Sequence, residues 1–257
     1  NIDYSISPVK LRDYEREWMN RGSEAEQIIL RRLSRDNNPF YNLDGYVDID
    51  CKQFNFKKHG FLRDTQMLVS NKTENTITFK LHYDENTLIH FPYEFEVEIH
   101  YILVNQTLTA RLFVKNLGKK TLPFNFGLHP AFKVPWNENE VFEDYKIIFE
   151  SPVTADLPTV RLDSGLIDWK QIYKKFNNVK ELPLNHEDYS GDAFCIEPYP
   201  KGDIKLLSPS QESIVLKAPC FKTLGIWTPY PTKAPFICLE PWYGCADNPE
   251  TNHHYLN

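Results

Sequence analysis

The sequence predicts an all-β protein of antiparallel strands arranged as a sandwich, and three features carry that expectation. Between Tyr93 and Val104 apolar and polar residues alternate with period two, the signature of a half-buried strand. Aromatic residues make up 14% of the chain against only 10 glycines, a balance that suits pleated, half-buried surfaces. Further along, short apolar runs recur between Pro, Gly, Asp and Ser, in the cadence of sandwich strands and their turns. A mainly helical chain would carry more Ala and Leu. With 41% hydrophobic residues, 257 positions suffice to bury one sizeable core, and we expect one domain over residues 1–257.

Taken in order, the first element is helical. From Leu11 to Asp36 the chain is dense in Glu and Arg, with Trp18, Ile28, Ile29, Leu30 and Leu33 at roughly helical spacing, which predicts one or two short helices. The safest element follows later. Phe95, Val97, Ile99, Tyr101 and Leu103 face one way and Glu94, Glu96, Glu98 and His100 the other. Asn105 and Gln106 then form a tight turn, and Leu108, Ala110, Leu112 and Val114 resume the alternation, giving an antiparallel hairpin. Ile147 to Glu150, Ile204 to Leu207 and Ser213 to Leu216 read as further strands, interrupted by one or two helical turns around Leu166 to Phe176. There is no linker-like tract and no repeat of domain-building length. Cys195 to Tyr199 is echoed by Cys238 to Trp242, which is too short for a duplication.

Charge narrows the partners. The formal net charge is −6 and basic residues form only pairs such as Lys57 with Lys58 and Lys119 with Lys120, so nucleic acid has no footprint to bind. No apolar run is long enough to span a membrane, and the opening residues do not read as a secretion signal. Five cysteines without a CxxC pair fit a reducing compartment, so a soluble cytoplasmic protein is expected. The glycosylation patterns at Asn71 and Asn105 are then coincidental.

No phosphate-cradling Gly-rich loop, HExxH, GxSxG or dinucleotide fingerprint occurs, and no cofactor, metal or nucleotide is expected. His253 and His254 stand in a polar tail without matching ligands. Three stretches do place ionisable residues among glycines and aromatics: His59 to Asp64 (HGFLRD), Phe126 to Phe132 (FGLHPAF), and Ile237 to Gly244 (ICLEPWYG) followed by Ala246 and Asp247. His129 and Glu240 each precede a proline, which biases both towards extended backbone. Strand ends hold a side chain rigidly, as an acid–base group requires. Spacing alone fits a packed core histidine and an exposed strand-end carboxylate better than a catalytic pair.

These three stretches, in this order and at these separations, resemble the aldose 1-epimerase (galactose mutarotase-like) family, especially its LacX-like branch. The likeness runs from about His59 to Asp247 and includes Phe91, Pro92 and Tyr93 before the hairpin, Asn116 after it, and Leu224 to Trp227 ahead of the glutamate. It implies a β-supersandwich and a cofactor-independent interconversion of α and β sugar anomers. In that chemistry Glu240 is the base for the anomeric hydroxyl and His129 the acid for the ring oxygen. His59 maps to a second family histidine that donates to sugar oxygens, and Arg63 to a binder of hydroxyls or phosphate, which its planar fork suits. Asp192 aligns with a hydroxyl-binding acid, and Phe132 and Trp227 are candidate walls for the sugar's C–H face, though large aromatics are as often core. Glu197, also before a proline, lacks the following Gly and Asp of the motif. Ordinary values of about 4.3 for Glu and about 6.5 for His already let one begin ionised and the other protonated.

Residues 1–45 depart from the family's opening, which supplies a substrate-facing arginine; Arg31, Arg32 and Arg35 are undifferentiated candidates for it. Two other functions remain open on the same scaffold. One is sugar binding without catalysis, suggested by that divergent opening. The other is glycoside hydrolysis by Glu240 with Asp192 or Glu197. The expected partner in every case is a small-molecule sugar.

Overall fold

Strict alternation between Phe95 and Val104 produces β6 (Phe95–Val104), and β7 (Thr107–Asn116) pairs with it in unbroken register from Phe95 opposite Asn116 to Val104 opposite Thr107. Phe95, Val97 and Ile99 are buried while Glu96, Glu98 and His100 reach solvent in part. Asn105 opens the turn at φ +54°, a left-handed conformation that Asn tolerates better than most side chains. The computed structural model describes residues 2–7, 45–49, 52–56, 59–162 and 164–250. The helices expected between Leu11 and Asp36, the three arginine candidates there and the pair His253 and His254 lie outside the described residues.

Around this hairpin a large sheet extends in both directions. Its other strands are β1 (Ile2–Ser7), β4 (Leu68–Lys72), β5 (Thr76–His82), β9 (Lys146–Val160), β10 (Ile167–Pro183), β12 (Ile204–Leu207) and β13 (Ser213–Lys217). Among the described residues their order is β10, β9, β12, β13, β1, β7, β6, β5, β4. A smaller sheet runs β11 (Phe194–Ile196), β14 (Thr223–Trp227), β15 (Phe236–Trp242), β8 (Ala131–Lys133), and β2 (Gly45–Ile49) pairs with β3 (Lys52–Phe56) apart from both. Every strand pairing among the described residues is antiparallel. No helix among the described residues is long and apolar enough to cross a membrane.

One continuous core joins the two sheets. Phe149, Ile147, Ile204 and Leu206 from the large sheet share it with Phe194, Ile196, Leu224, Ile226, Ile237 and Leu239 from the small one. Phe176 of β10 meets Phe194 of β11 edge to face at 5.8 Å, a geometry in which the positive ring edge meets a negative ring face. Alternation in β11, β14 and β15 thus sends every second residue into this core and leaves the intervening ones on the opposite face, where the candidate site forms.

Two expectations about helices need correction. Residues 166–176 are not helical, because Ile167 to Phe176 belong to β10, which pairs with β9. Register shifts fall between Asp168 and Ile172, between Ile172 and Lys174, and again between Phe176 and Val179. The first inserts three extra residues on β10 and the other two one each, so each reverses the alternation, and the resulting spacing of apolar residues imitates helical periodicity. Conversely, a six-residue helix, α1 (Glu85–His90), stands where none is expected. Asp84 Oδ1 accepts from Thr87 N and Thr87 Oγ1 accepts from Asp84 N, each at 2.8 Å, a reciprocal cap that satisfies two backbone donors of so short a helix.

The β9–β10 corner anchors the segment after the glutamate motif. Ile167 N donates to Asp247 O at 2.9 Å, and Arg161 clasps Asp168 Oδ2 through Nη2 at 2.8 Å and Nε at 3.3 Å. The guanidinium, opposed by burial and aided by the Lys170 N–H, holds the Asp168 carboxyl below the usual carboxylate range. A depressed folded-state pKa contributes stability above the unfolded value and loses it as pH falls through the folded one. Asp168→Asn should therefore lower the melting temperature at neutral pH, with the gap to the parent closing at strongly acidic pH. A gap that stays constant across a pH series of melts would show that the Asp168 charge contributes nothing.

Candidate active site

The site is built by strand register. Thr223 pairs with Trp242, Gly225 with Glu240 and Trp227 with Cys238, so all six share one face of the small sheet. The residues between them, Leu224, Ile226, Ile237 and Leu239, fill the core on the other face. Ahead of β8, the histidine motif continues the pairing along β15: Tyr243 N donates to Phe126 O at 2.9 Å, Leu128 N to Pro241 O at 3.0 Å, and Leu239 N to Pro130 O at 3.2 Å. Gly127 bridges Trp242, and Ala131 pairs with Cys238. His129 is therefore opposite Glu240, at the position without ladder hydrogen bonds. In antiparallel pairs that is the close position, where Cα atoms approach to about 4.5 Å.

The two prolines leave each flanking pair with one ladder hydrogen bond in place of two. Pro130 and Pro241 lack N–H groups, yet each accepts through its carbonyl from the facing strand. The pair they flank faces across the ladder with His129 Nε2 3.2 Å from Glu240 Oε1. Side-chain exposure is 14% for the histidine and 3% for the glutamate, so solvent reaches the imidazole and barely reaches the carboxylate.

Aromatic rings position the imidazole. The His59 ring stands 5.7 Å from His129 and the Trp227 ring 5.8 Å from it, both edge to face. His59 at φ +70° and Gly60 at φ +74° are consecutive left-handed residues, and this turn is what carries His59 to His129 from a distant part of the chain. Arg63 follows on a single 3₁₀ turn, Leu62–Asp64, and is half-buried. On the floor of the site the indole of Trp242 lies over two glycines. A Cβ added at Gly225 would come within 2.6 Å of its six-membered ring, and one at Gly127 within 2.6 Å of its five-membered ring.

Other sequence candidates fall differently. Phe132 pairs with Ile237, on the core face and away from Glu240, so its ring packs in the core and is not a sugar-facing wall. Asp192 precedes β11 at φ +74°, and its hydrogen bonds are local, Oδ1 accepting from Ala193 N at 2.7 Å and its own N donating to Tyr189 O at 3.1 Å. Glu197 lies on the smaller sheet's site face but one row along, where Oε2 accepts from Thr223 Oγ1 at 3.3 Å and the Cys245 thiol at 3.7 Å. Sequence reasoning gave no role to Cys238, which period two from Glu240 places beside it. Burial, and then the Glu240 charge, push the Cys238 thiol well above its ordinary value. His129, Cys238 and Glu240 bring one metal-ligating atom each to within 4.8 Å of one another.

The two-sheet antiparallel sandwich is the fold of galactose mutarotase-like proteins. The chain belongs to the aldose 1-epimerase family, whose model matches residues 41–251. It is 30% identical over 196 residues to protein LacX of Lactococcus lactis, in both plasmid and chromosomal forms, a match covering 76% of this chain and 65% of those relatives. Among solved structures it resembles a galactose mutarotase related enzyme from Lactobacillus acidophilus, with TM-score 0.77 and 25% identity over 90% of this chain and 74% of that one. A galactose mutarotase-like protein from Lactobacillus casei gives TM-score 0.72 and 29% identity over 90% and 77%.

The glycine floor makes a direct test. Gly225→Ala must displace the Trp242 indole, and overpacking of this kind typically costs about 1–3 kcal/mol. Urea unfolding should show that loss, whereas a variant as stable as the parent would mean the indole is not held by this close approach.

Proposed function

We propose that the chain interconverts the α and β anomers of a hexose or hexose phosphate by acid–base ring opening. The observation that carries this reading is the opposed pair His129 and Glu240, 3.2 Å apart on neighbouring strands. The anomeric hydroxyl oxygen and the ring oxygen are bonded to the same carbon. A base and an acid this close together address both at once, within the reach that proton transfer needs.

In the forward step Glu240 takes the proton of the anomeric hydroxyl while His129 protonates the ring oxygen. The bond between the anomeric carbon and the ring oxygen breaks and the open-chain aldehyde forms. Rotation about the bond joining the first two carbons presents the other carbonyl face, and closure returns both protons with the roles exchanged. Trp227 supplies an apolar wall beside His129 for the C–H face of the sugar. His59, Arg63 and Asp192 are assigned to the hydroxyls or a phosphate. Because one group begins without its proton and the other with it, the rate should follow a bell-shaped pH profile.

One observation favours a second reading, sugar binding without catalysis: the family match begins at residue 41, leaving the divergent opening outside it. Anomer exchange followed by polarimetry or NMR with glucose, galactose and their 6-phosphates separates the two. His129→Asn and Glu240→Gln should each lower the catalysed rate by about 10²- to 10⁴-fold with circular dichroism unchanged. Near-normal exchange by Glu240→Gln across the pH range would remove Glu240 as the base and leave the binding reading standing.

A further inference from the structure

We propose that His129, Cys238 and Glu240 form a latent site for a thiophilic divalent cation such as zinc or cadmium, and that its occupation switches the sugar chemistry off. The site rests on geometry independent of function, and only the switching rests on the mutarotase reading. Cys238 and Glu240 are two residues apart on β15 and therefore share a face, and His129 stands opposite Glu240 across the ladder. Their ligand atoms all lie within 4.8 Å, with the imidazole and carboxylate already at 3.2 Å. A tetrahedral ion bound at about 2.0–2.3 Å needs its ligand atoms roughly 3.3–3.8 Å apart, so about 1 Å of side-chain rotation closes the set.

The donor set selects the metal. One sulfur, one imidazole nitrogen and one carboxylate oxygen suit zinc, cadmium or cobalt and disfavour magnesium or calcium, which want oxygen ligands. Three protein ligands leave the fourth position open to water or a sugar oxygen. Charge also balances: a dication with one thiolate, one carboxylate and a neutral imidazole has no net charge, the state a buried site tolerates best.

Binding exchanges the S–H bond of Cys238 for an S–metal bond and releases that proton to solvent, together with the imidazolium proton when His129 carries one. Because the metal binds the thiolate and displaces its proton, affinity should rise with pH. The bound ion takes the lone pairs that Glu240 and His129 use on the sugar, so exchange stops until a chelator removes it.

The test is titration of the full chain with cobalt(II) and cadmium(II) under a phosphine reductant, read by sulfur-to-metal charge transfer and by calorimetric proton release. Wild type should show a one-equivalent event with a charge-transfer band, and both Cys238→Ala and His129→Asn should weaken it by more than about tenfold, since even loss of an outer-shell partner costs that much. Exposed Cys220 contributes equally to wild type and Cys238→Ala, so the difference between them isolates the site. In the kinetic arm zinc should inhibit wild type reversibly, while Cys238→Ala exchanges anomers normally and resists the metal. An unchanged band in Cys238→Ala, or no charge-transfer band in wild type, overturns the proposal. His129→Asn decides it independently should Cys238→Ala prove misfolded by circular dichroism. A chain that binds metal but exchanges no sugar would sink the mutarotase reading alone.

Discussion

Everything at the candidate site depends on the pairing of β15 with the stretch from Phe126 to Lys133. Two prolines, Pro130 and Pro241, stand on opposite strands and each contributes only its carbonyl, so the ladder closes around a histidine and a glutamate that share its close, unbonded position. The constraint is geometric before it is chemical. Slipping the register by one residue would send Glu240 into the core and bring Leu239 to the site face, an exchange that a buried carboxylate makes prohibitive. The same core that rejects that slip, built on Leu224, Ile226, Ile237 and Leu239, thereby selects the register that makes the site.

Burial gives the pair its character. A carboxylate with 3% of its side chain exposed needs a partner in place, and removing one member of such a pair typically costs about 3–5 kcal/mol because the other charge is stranded. His129 meets that need for Glu240, while His59 and Trp227 limit how far the imidazole can turn. The arrangement is thus structural in its own right, and under the proposed function an entering sugar must replace the contact each group makes with the other. Cys238 shares this environment and has no part in the proposed proton transfers.

Trp242 shows how backbone and side chain cooperate. Its indole occupies space that exists only because positions 127 and 225 lack a Cβ. Those glycines come from separate motifs, one preceding the histidine and one in the strand before the glutamate. Their spacing in the chain gives no hint that they serve a single ring.

The alternation from Phe95 to Val104 and the Asn105 turn determined their hairpin locally, because period two and a left-handed Asn act over neighbouring residues. Motif order likewise made the family and the pair His129 and Glu240 legible, since a pre-proline histidine and glutamate carry their backbone preference with them. Two sequence expectations failed where tertiary structure overrode local pattern. Bulges in β10 turned a helix-like spacing into a strand edge, and the face on which Phe132 lies was decided by Ile237 across the ladder. Asp84 and Thr87 did carry a readable cap for α1, but its apolar content is too slight to show as periodicity. What only the folded chain decided is adjacency across the sheet: that Cys238, Trp242 and Gly225 join Glu240, that His59 reaches His129, and that Phe132 does not. Side chains on separate strands meet through hydrogen-bond register and a shared core, and neither is a property of any one segment.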